Sequence, residues 1–342
     1  MTIVLVTGGA GYLGSSVLAP LKLAGYQPVV FDNLSRGFSQ LVLQHNVPLV
    51  LGDLSDRSLL RSVLKAYRVD AILHFAALAN MGESNEQPNH YYRINTVDAL
   101  GLLEEAIAYR PQSPPAVIVS SSCAVFGIPP ALPVAELSTR TPINPYGRSK
   151  LAMEWMLEDL AQRYRFPAVI LRSFNAAGAD PQNGCGECRQ HETHLIPLAI
   201  EAALEGKPFI IYGDHFETRD GSAIRDFTHV RDLASAHIAA LDYLIAGGAS
   251  TDFNLGTGVG YSVREVLNCV ERVCGRPIIV KIGRRRLGDP PALVADAAKA
   301  RQLLHWQPHY SDLERIVRDA LSWEQQRQRV PGLGRLAAAG VQ

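Results

Sequence analysis

The sequence predicts an α/β protein in which a doubly wound parallel sheet is followed by a smaller C-terminal lobe. Short apolar runs alternate with helical patterns up to residue 175, the first run leads directly into a glycine-rich turn, and the alternation loosens afterwards. Such alternation builds βαβ units with parallel strands and helices on both faces. We therefore predict a Rossmann-type domain over residues 1–175 with a returning segment near 226–253, and a smaller lobe mainly over 176–330.

The elements follow from the spacing of apolar residues. Period-two or continuous apolar runs indicate strands, and apolar residues three and four apart indicate helices. The expected strands cover residues 2–7, 28–31, 47–51, 71–75, 116–121 and 168–171. The expected helices cover residues 56–67, 91–109, 146–164 and, in the second lobe, 195–204. Residues 331–342 are mostly small and are predicted to form a poorly ordered tail.

A glycine-rich turn follows the first predicted strand. Gly8, Gly11 and Gly14 lie between this strand and the next helical pattern. Glycines at a strand-to-helix turn permit close approach of the backbone to a pyrophosphate. The second predicted strand ends at Asp32, at the distance expected of a carboxylate that binds an adenosine ribose and repels a 2′-phosphate. NAD is therefore the predicted cofactor, and the nearby cation Arg36 leaves NADP open as an alternative.

A tyrosine and a lysine form the candidate acid–base pair. Asn144 as N-cap and Pro145 as the first helical residue place Tyr146 in the first turn, and Lys150 follows one turn later on the same face. The ammonium and the helix N-terminus favour the phenolate, so we expect the pKa of Tyr146 to fall from about 10 towards neutrality. Ser122, which closes the fifth predicted strand, is the third candidate. Alone, the Tyr-x-x-x-Lys spacing also occurs on ordinary surface helices.

The Gly-x-x-Gly-x-x-Gly spacing of residues 8–14, together with Ser122, Tyr146 and Lys150, resembles the extended short-chain dehydrogenase/reductase family. Further motifs between residue 2 and about 323 resemble the UDP-sugar 4-epimerases of that family. The resemblance implies that residues 1–175 bind NAD and that the second lobe binds the UDP-sugar. It implies cofactor contacts at Gly8, Gly11, Tyr12, Leu13, Gly14, Asp32, Asn33, Asp53, Leu54, Phe75, Ala76, Ala77, Asn95, Tyr146, Lys150 and Phe174.

The activity that the resemblance implies is the interconversion of UDP-glucose and UDP-galactose by reversible oxidation at C4. Tyr146 would take the C4 hydroxyl proton, Ser122 would contact the same oxygen, and NAD would accept the C4 hydride and return it to the other face. Arginine forks suit the diphosphate. The implied substrate contacts are Ser122, Tyr146, Asn175, His194, Leu195, Tyr212, Arg225, Arg286 and Asp289.

Three kinds of alternative stay open at this point. Related dehydratases and decarboxylases carry an acid two residues after the Ser or Thr, where this chain has Ala124, so simple epimerisation is favoured. Ala79 and Phe126 stand where some family epimerases have lysine and tyrosine, and Leu293 stands where residue size affects N-acetylated sugars. UDP-arabinose and UDP-xylose, UDP-GlcNAc and UDP-GalNAc, or UDP-glucuronate are therefore alternative substrates. A noncatalytic NAD(H)-sensing protein is the alternative outside the enzymes.

Composition bounds the compartment and the partners. Lys plus Arg and Asp plus Glu both total 33, so no global field favours nucleic acid or a membrane surface. We expect no signal peptide and no membrane span. The 5 scattered cysteines suit a reducing compartment, which predicts a cytoplasmic protein. By family resemblance, the helices at 91–109 and 146–164 would pair with a second subunit in a homodimer, with burial against the chain's own core as the alternative.

A run of cysteines and histidines resembles a metal-ligand set. Cys185, Cys188, His191 and His194 have spacings that can hold zinc. Family members have a polar, substrate-facing loop at this place, so we predict no metal and keep zinc as the alternative.

Overall fold

The computed structural model describes residues 1–189, 192–286, 288–329 and 333, so the predicted tail at 331–342 lies outside the described residues apart from Leu333. The strands of the described chain are β1 (Ile3–Thr7), β2 (Gln27–Asp32), β3 (Leu49–Leu51), β4 (Ala71–His74), β5 (Ala116–Ser122), β6 (Ala168–Ser173), β7 (Asn175–Ala177), β8 (Ala179–Asp180), β9 (Cys185–Gly186), β10 (Phe209–Tyr212), β11 (Ile224–Arg225), β12 (Phe227–His229), β13 (Thr251–Leu255), β14 (Tyr261–Ser262), β15 (Val280–Gly283) and β16 (Ala292–Leu293).

The helices of the described chain are α1 (Tyr12–Ser16), α2 (Leu18–Leu23), α3 (Gln40–Leu43), α4 (Arg57–Tyr67), α5 (Met81–Glu86), α6 (Pro88–Tyr92), α7 (Ala99–Tyr109), α8 (Pro145–Tyr164), α9 (Leu195–Glu205), α10 (Val230–Ile245), α11 (Val263–Cys274), α12 (Ala298–Leu303) and α13 (Leu313–Arg327). A π-helix spans Arg93–Asp98, and 3-10 helices span Cys123–Phe126 and Pro181–Asn183. None of these helices combines the length and the apolar character that crossing a membrane requires.

One parallel sheet of seven strands organises the described chain, in the order β13-β6-β5-β4-β1-β2-β3. The chain runs outward from β1 to β3 on one side and from β4 to β6 on the other. The predicted doubly wound parallel sheet is therefore confirmed. Its topological switch point lies between β1 and β4, where the carboxyl ends of parallel strands leave a crevice for ligands.

The core consists of two apolar layers, one on each face of the sheet. Val4 and Val6 of β1 enter one layer with α2 and α10, whereas Leu5 enters the other with α4, α7 and α8. Alternate side chains of a strand point to opposite faces, so a continuous apolar run is what a strand covered on both sides requires. This explains why the β1 sequence lacks polar alternation.

The predicted helix at 91–109 is interrupted by the π-helix between α6 and α7. Within it, Asn95 is buried, and its amide bonds both the nitrogen and the oxygen of the Leu78 backbone at 2.8 and 3.0 Å. The same amide donates to Ser149 Oγ of α8 at 3.0 Å. The widened turn thus fixes α8, which carries Tyr146 and Lys150, against the loop after β4.

The chain after residue 176 contributes to both lobes. Helices α9, α11 and α13 enclose a separate apolar cluster of the smaller lobe. Helix α10, strand β13 and helix α12 return to the large sheet, and Trp306 beyond α12 packs into the same layer as Val4. Strand β12 pairs with β7, and β11 lies between β14 and β16. Strand β7 begins two residues after β6 ends, so the pair of β7 and β12 lies next to the carboxyl end of β6.

Candidate active site

A cavity of about 1280 Å³ lies between the lobes, over the carboxyl ends of the central strands. Ten of the predicted cofactor residues line it: Gly8, Gly11, Tyr12, Leu13, Gly14, Phe75, Ala77, Tyr146, Lys150 and Phe174. All nine predicted substrate residues line it as well: Ser122, Tyr146, Asn175, His194, Leu195, Tyr212, Arg225, Arg286 and Asp289. The other predicted cofactor residues, Asp32, Asn33, Asp53, Leu54, Ala76 and Asn95, are not among its lining residues.

The glycine turn forms a backbone cradle at one end of the cavity. Gly8 has a φ of +72°, and a Cβ there would lie 2.5 Å from the Ala76 nitrogen. A Cβ at Gly14 would lie 2.2 Å from the Gly8 carbonyl oxygen. Side chains at these positions would therefore collide with backbone, so the turn needs glycine to bring strand, helix and ligand together. This cradle suits a dinucleotide pyrophosphate.

Acidic residues at the ends of β2 and β3 bound the outer end of the cradle. Asp32 is buried, accepts hydrogen bonds from the Ala10 and Leu34 nitrogens at 3.0 and 2.8 Å, and has a pKa that burial raises. Asn33 donates to Asp53 Oδ2 at 2.7 Å. A carboxylate oxygen keeps a second lone pair after one such bond, so Asp32 retains the capacity to accept from a ribose hydroxyl.

Arg36, the cation that left NADP open, forms an ion pair with Glu83 of α5. The side chain of Arg36 is 60% exposed, and both residues line the cavity. Its charge is thus already matched by a carboxylate. The Asp32 carboxylate therefore remains the feature that favours NAD.

The three candidate catalytic residues meet in the middle of the cavity. Ser122 ends β5, and Asn144 caps α8 by accepting from the Gly147 nitrogen at 2.8 Å, which places Tyr146 in the first turn. The Lys150 ammonium donates to the Ser120 carbonyl oxygen at 2.9 Å. Tyr146 packs edge-on against Tyr91 with the ring centroids 6.3 Å apart. All three side chains are almost completely buried and face the cavity.

The expected fall of the Tyr146 pKa is wrong for the protein without ligands. Burial raises the pKa of Tyr146 to about 12, and this outweighs the lowering by the Ser122 hydroxyl. Burial also lowers the pKa of Lys150 to about 8, against the opposing charge of Glu154. Helical spacing correctly placed the lysine one turn from the tyrosine, but the ammonium bonds the Ser120 carbonyl. Desolvation therefore dominates both groups.

A buried histidine adjoins the lysine. The pKa of His74 falls to about 3 because the ring is buried and because Lys150 lies nearby. Its Nδ1 lies 2.7 Å from Thr7 Oγ1. His74, at the end of β4, is therefore neutral at physiological pH and adds no charge beside Lys150.

Unpartnered polar atoms also lie along the cavity. Within the described chain, Ser173 Oγ and Asn175 Oδ1 are buried without a hydrogen-bond partner, and both residues line the cavity. Such atoms are costly unless a ligand or water satisfies them. They are therefore suited to contact a polar substrate.

The diphosphate candidates lie on the second lobe. Arg225 of β11 forms an ion pair with Asp289 and donates to its neighbouring Ile224 carbonyl at 2.7 Å. The Arg286 guanidinium lies over the Tyr212 ring, 3.9 Å from its centroid. Both arginines are thus oriented by neighbouring residues along the same wall, and both line the cavity. A guanidinium group provides the fork geometry that suits phosphate oxygens, so both arginines are candidates for a diphosphate contact.

Glu187 and Arg189 are cavity residues that the sequence did not indicate. Glu187 Oε1 lies 2.5 Å from His194 Nδ1 and 2.7 Å from Arg189 Nε. Although burial raises the pKa of Glu187, the charges and hydrogen bonds of His194 and Arg189 lower it to about 2. His194 is therefore held by an ionised carboxylate. The one available signal was the placement of Glu187 and Arg189 on either side of Cys188.

The cysteines of the predicted metal run have other contacts. Cys185 Sγ lies 3.2 Å from Ser15 Oγ, and Cys188 Sγ contacts the Leu333 carbonyl oxygen at 3.5 Å. His191 lies outside the described residues. In the described chain, Glu187, Glu192 and His194 bring possible ligand atoms within 4.8 Å of one another. Arg189 lies against this group as well, so a cation is already present, and the absence of a metal stays a prediction.

The positions that depart from the family pattern differ in their surroundings. Ala79 and Leu293 line the cavity, whereas Phe126 is completely buried, with the Arg172 guanidinium 5.4 Å from its ring centroid. Of these three positions, Ala79 and Leu293 therefore face the cavity.

Comparison with known proteins identifies the family. Residues 4–256 match the model of the NAD dependent epimerase/dehydratase family. A UDP-glucose 4-epimerase of Rhizobium meliloti (strain 1021) is 46% identical over 325 residues, which cover 95% of this chain and 97% of that protein. The UDP-glucose 4-epimerase of Brucella ovis, solved in complex with NAD, has a TM-score of 0.89 at 45% identity and covers 94% of this chain and 98% of its own. The enzyme of Bifidobacterium longum, solved with NAD+ and UDP, has a TM-score of 0.90 at 34% identity, with 95% and 98% covered. The chain belongs to the NAD dependent epimerase/dehydratase family.

Proposed function

We propose that this member of the NAD dependent epimerase/dehydratase family interconverts UDP-glucose and UDP-galactose by NAD-mediated oxidation and re-reduction at C4. The observation that carries the proposal is the position of Ser122, Tyr146 and Lys150, which lie where the glycine cradle and the two-arginine wall meet in one cavity. The relatives that share 45–46% of the sequence over nearly its whole length are UDP-glucose 4-epimerases. Family membership and the observed cradle both support NAD as the cofactor.

The residues around the cradle fit NAD. Gly8, Gly11 and Gly14 leave room for the pyrophosphate, Asp32 would accept from the adenosine ribose, and Phe75 and Phe174 line the cavity. The chemistry that bound NAD would supply is the acceptance and return of a hydride. The cavity exceeds the usual size of a small-molecule site of about 300–1,000 Å³, as a site for two nucleotides requires.

The protein residues at the centre manage the proton. Tyr146 is placed to accept the C4 hydroxyl proton and to return it after inversion, while Ser122 hydrogen-bonds the same oxygen. Lys150 stays protonated below about pH 8 and lies one turn from Tyr146, so its charge favours the phenolate at the moment the proton moves. Ala124 offers no second acid, so the chain provides for oxidation and re-reduction without elimination.

The second lobe holds the nucleotide more firmly than the sugar. Arg225, fixed by Asp289, and Arg286, stacked on Tyr212, are suited to the diphosphate. By contrast, the sugar end presents single neutral groups such as Asn175 and Ser173. Weak neutral contacts let the keto sugar turn over while the diphosphate stays bound, which is what inversion at C4 needs.

We further propose a cytoplasmic homodimer, with α7 and α8 as the contact surface. Val97, beside α7, and Trp155 on α8 are 48% and 51% exposed, which leaves apolar surface for a second copy. The described cysteines are all free, as a reducing compartment favours. Sedimentation of Trp155→Glu beside the wild type tests the interface, because a buried charge in it should release monomers.

Product analysis with the purified protein tests the activity. UDP-galactose, UDP-GalNAc and UDP-arabinose are supplied separately, and we expect UDP-glucose from the first without added NADH. Preferred turnover of UDP-GalNAc or UDP-arabinose would assign one of the alternative substrates. Continuous formation of NADH would indicate a dehydrogenase. Tight NAD binding without turnover of any UDP-sugar would favour the noncatalytic sensor.

A further inference from the structure

An ion pair is buried one helical turn beyond Lys150. Glu154 of α8 and Arg172 of β6 have completely buried side chains. Arg172 Nε lies 3.0 Å from Glu154 Oε1, and its Nη2 lies 2.9 Å from Oε2, so the pair is bidentate. Desolvating two charges is expensive, and an apolar pair of similar volume is often as stable. Stability alone therefore does not account for this pair.

Further residues hold Glu154 in place. Ser121 Oγ donates to its Oε1 at 2.5 Å, and Arg140 Nη1 donates to its Oε2 at 3.1 Å. Arg140 also bonds Glu158, which is 43% exposed. On the far side, Arg172 Nη1 lies 2.7 Å from Asp252, which in turn accepts from Lys299. Cations and carboxylates alternate through this network. Glu154 is the member of the network that lies on the same helix as Lys150.

Three consecutive serines connect the network to the catalytic residues. The Ser120 carbonyl accepts from Lys150, the Ser121 hydroxyl donates to Glu154, and Ser122 faces the cavity. Because Lys150 and Glu154 are four residues apart on α8, the two contacts fix the register of the helix against the end of β5. A shift of about 1 Å at this contact would displace Tyr146 from Ser122, and such a displacement costs about 100-fold in rate.

We propose that Glu154, held by Ser121 and Arg172, is a positioning residue for the epimerisation, which keeps Lys150 charged and keeps Tyr146 against Ser122. The inference rests on the proposed function. Glu154 is buried one helical turn from Lys150. Water therefore cannot take over the effect of its negative charge on the lysine.

The charges around Lys150 support this role. Burial lowers the pKa of Lys150 to about 8, and Glu154 is the group that opposes the fall. From β4, His74 faces the lysine as a neutral ring, because burial lowers its pKa to about 3. On α8, Tyr146 is un-ionised, because burial raises its pKa to about 12. From β5, the Ser120 carbonyl contributes a dipole only. Arg172 on β6 and Arg140 both bind Glu154. They partly cancel the effect of its negative charge on Lys150.

The first test is the pH profile of kcat for UDP-galactose. Glu154→Gln keeps the size and an acceptor oxygen but removes the charge, so the alkaline limb should move to lower pH by about one unit. Glu154→Asp should restore the limb. Arg140→Gln removes a cation near the surface, so the limb should move to higher pH. Glu158→Gln is the matched control, a glutamate that also pairs with Arg140, and should leave the limb unchanged.

The second test uses protein without cofactor and needs no turnover. The unfolding free energy of the wild type minus that of Lys150→Met, followed against pH, reports the titration of Lys150. The same difference is then measured between Glu154→Gln and the double variant that carries Glu154→Gln and Lys150→Met. It should begin to rise at a pH about one unit lower. If Glu154→Gln does not fold, Arg140→Gln decides, with the rise beginning at higher pH.

The outcomes separate the two proposals. An unchanged limb in a folded Glu154→Gln, together with an unchanged unfolding difference, would overturn the role of Glu154. A loss of kcat without movement of the limb would show a purely structural role and would overturn it too. If the wild type epimerises no UDP-sugar, the proposed function fails, and the unfolding difference still decides whether Glu154 controls the charge of Lys150.

Discussion

Replacement of Lys150 by methionine should remove activity and also remove a pH dependence of stability. Lys150 is 4% exposed, and its pKa falls from 10.5 to about 8, chiefly through burial. Between these two values the unfolded chain binds a proton that the folded chain does not bind. The free energy of unfolding therefore rises with pH across this window. Below about pH 8, the free-energy cost of burying the charged lysine is fully present. Methionine keeps much of the side-chain length and cannot be protonated.

The size of the effect follows from the pKa. A fall from 10.5 to about 8 corresponds to about 3 kcal/mol, since one unit is about 1.4 kcal/mol. Because lysine in the unfolded chain is still largely protonated at pH 9.5, about 2 kcal/mol of this should appear between about pH 7 and 9.5. The wild type should therefore gain about that amount of unfolding free energy relative to Lys150→Met over the interval.

Urea unfolding, followed by tryptophan fluorescence at several pH values, measures this difference. Lys65→Met is the matched control, because Lys65 is an exposed lysine on α4 and its ammonium is in water in both states. The difference between wild type and Lys65→Met should stay flat. A flat difference for Lys150→Met as well would refute the reasoning, because it would mean that folding does not disfavour the charged lysine.

Further predictions concern the chemistry and the cofactor. Tyr146→Phe should lower kcat by at least about 100-fold with NAD and UDP-sugar affinity nearly unchanged, because the phenol acts in the transition state; retention of more than about a tenth of kcat would contradict this role. Asp32→Ser should shift the ratio of NAD to NADP affinity towards NADP in calorimetric titrations, and an unchanged ratio would exclude Asp32 as the ribose ligand. Deuterium at C4 of UDP-galactose should be retained in UDP-glucose by mass spectrometry, and its washout would indicate deprotonation at carbon.

Local signals in the sequence were sufficient for the sheet and for the start of α8. The apolar run of β1 predicts a parallel strand that is covered on both faces. The glycines after it predict a tight turn. Likewise, Asn144 and Pro145 specify a helix start within two residues, and the structure has the cap that they predict. These features depend on neighbours in the chain, so one sequence is enough to predict them.

Features that depend on distant residues were not predictable in this way. The π-helix before α7 depends on the Asn95 amide, whose partners Leu78 and Ser149 are 17 and 54 residues away. Arg172 and Glu154 resemble ordinary solvent-facing charges in the sequence, and only the packing of α8 on β6 buries them together. Spacing gives the face of a helix on which a residue lies, but it does not give the amount of water that remains around the residue.

The same limit explains why the prediction for Tyr146 was wrong, and it bears on the reaction. With a pKa near 12, the Tyr146 phenol is about five units from ionising at pH 7, so forming the phenolate costs about 7 kcal/mol. The phenol of Tyr146 is therefore neutral, and under the proposed function the substrate and the cofactor would have to lower its pKa before it could act as the base. The buried Glu154 acts on the pKa of Lys150. By opposing the fall of the Lys150 pKa, it retains at neutral pH the positive charge that a phenolate at Tyr146 would need. At neutral pH the phenol of Tyr146 is therefore neutral and the ammonium of Lys150 is charged, and the buried Glu154 favours the charged state of that ammonium.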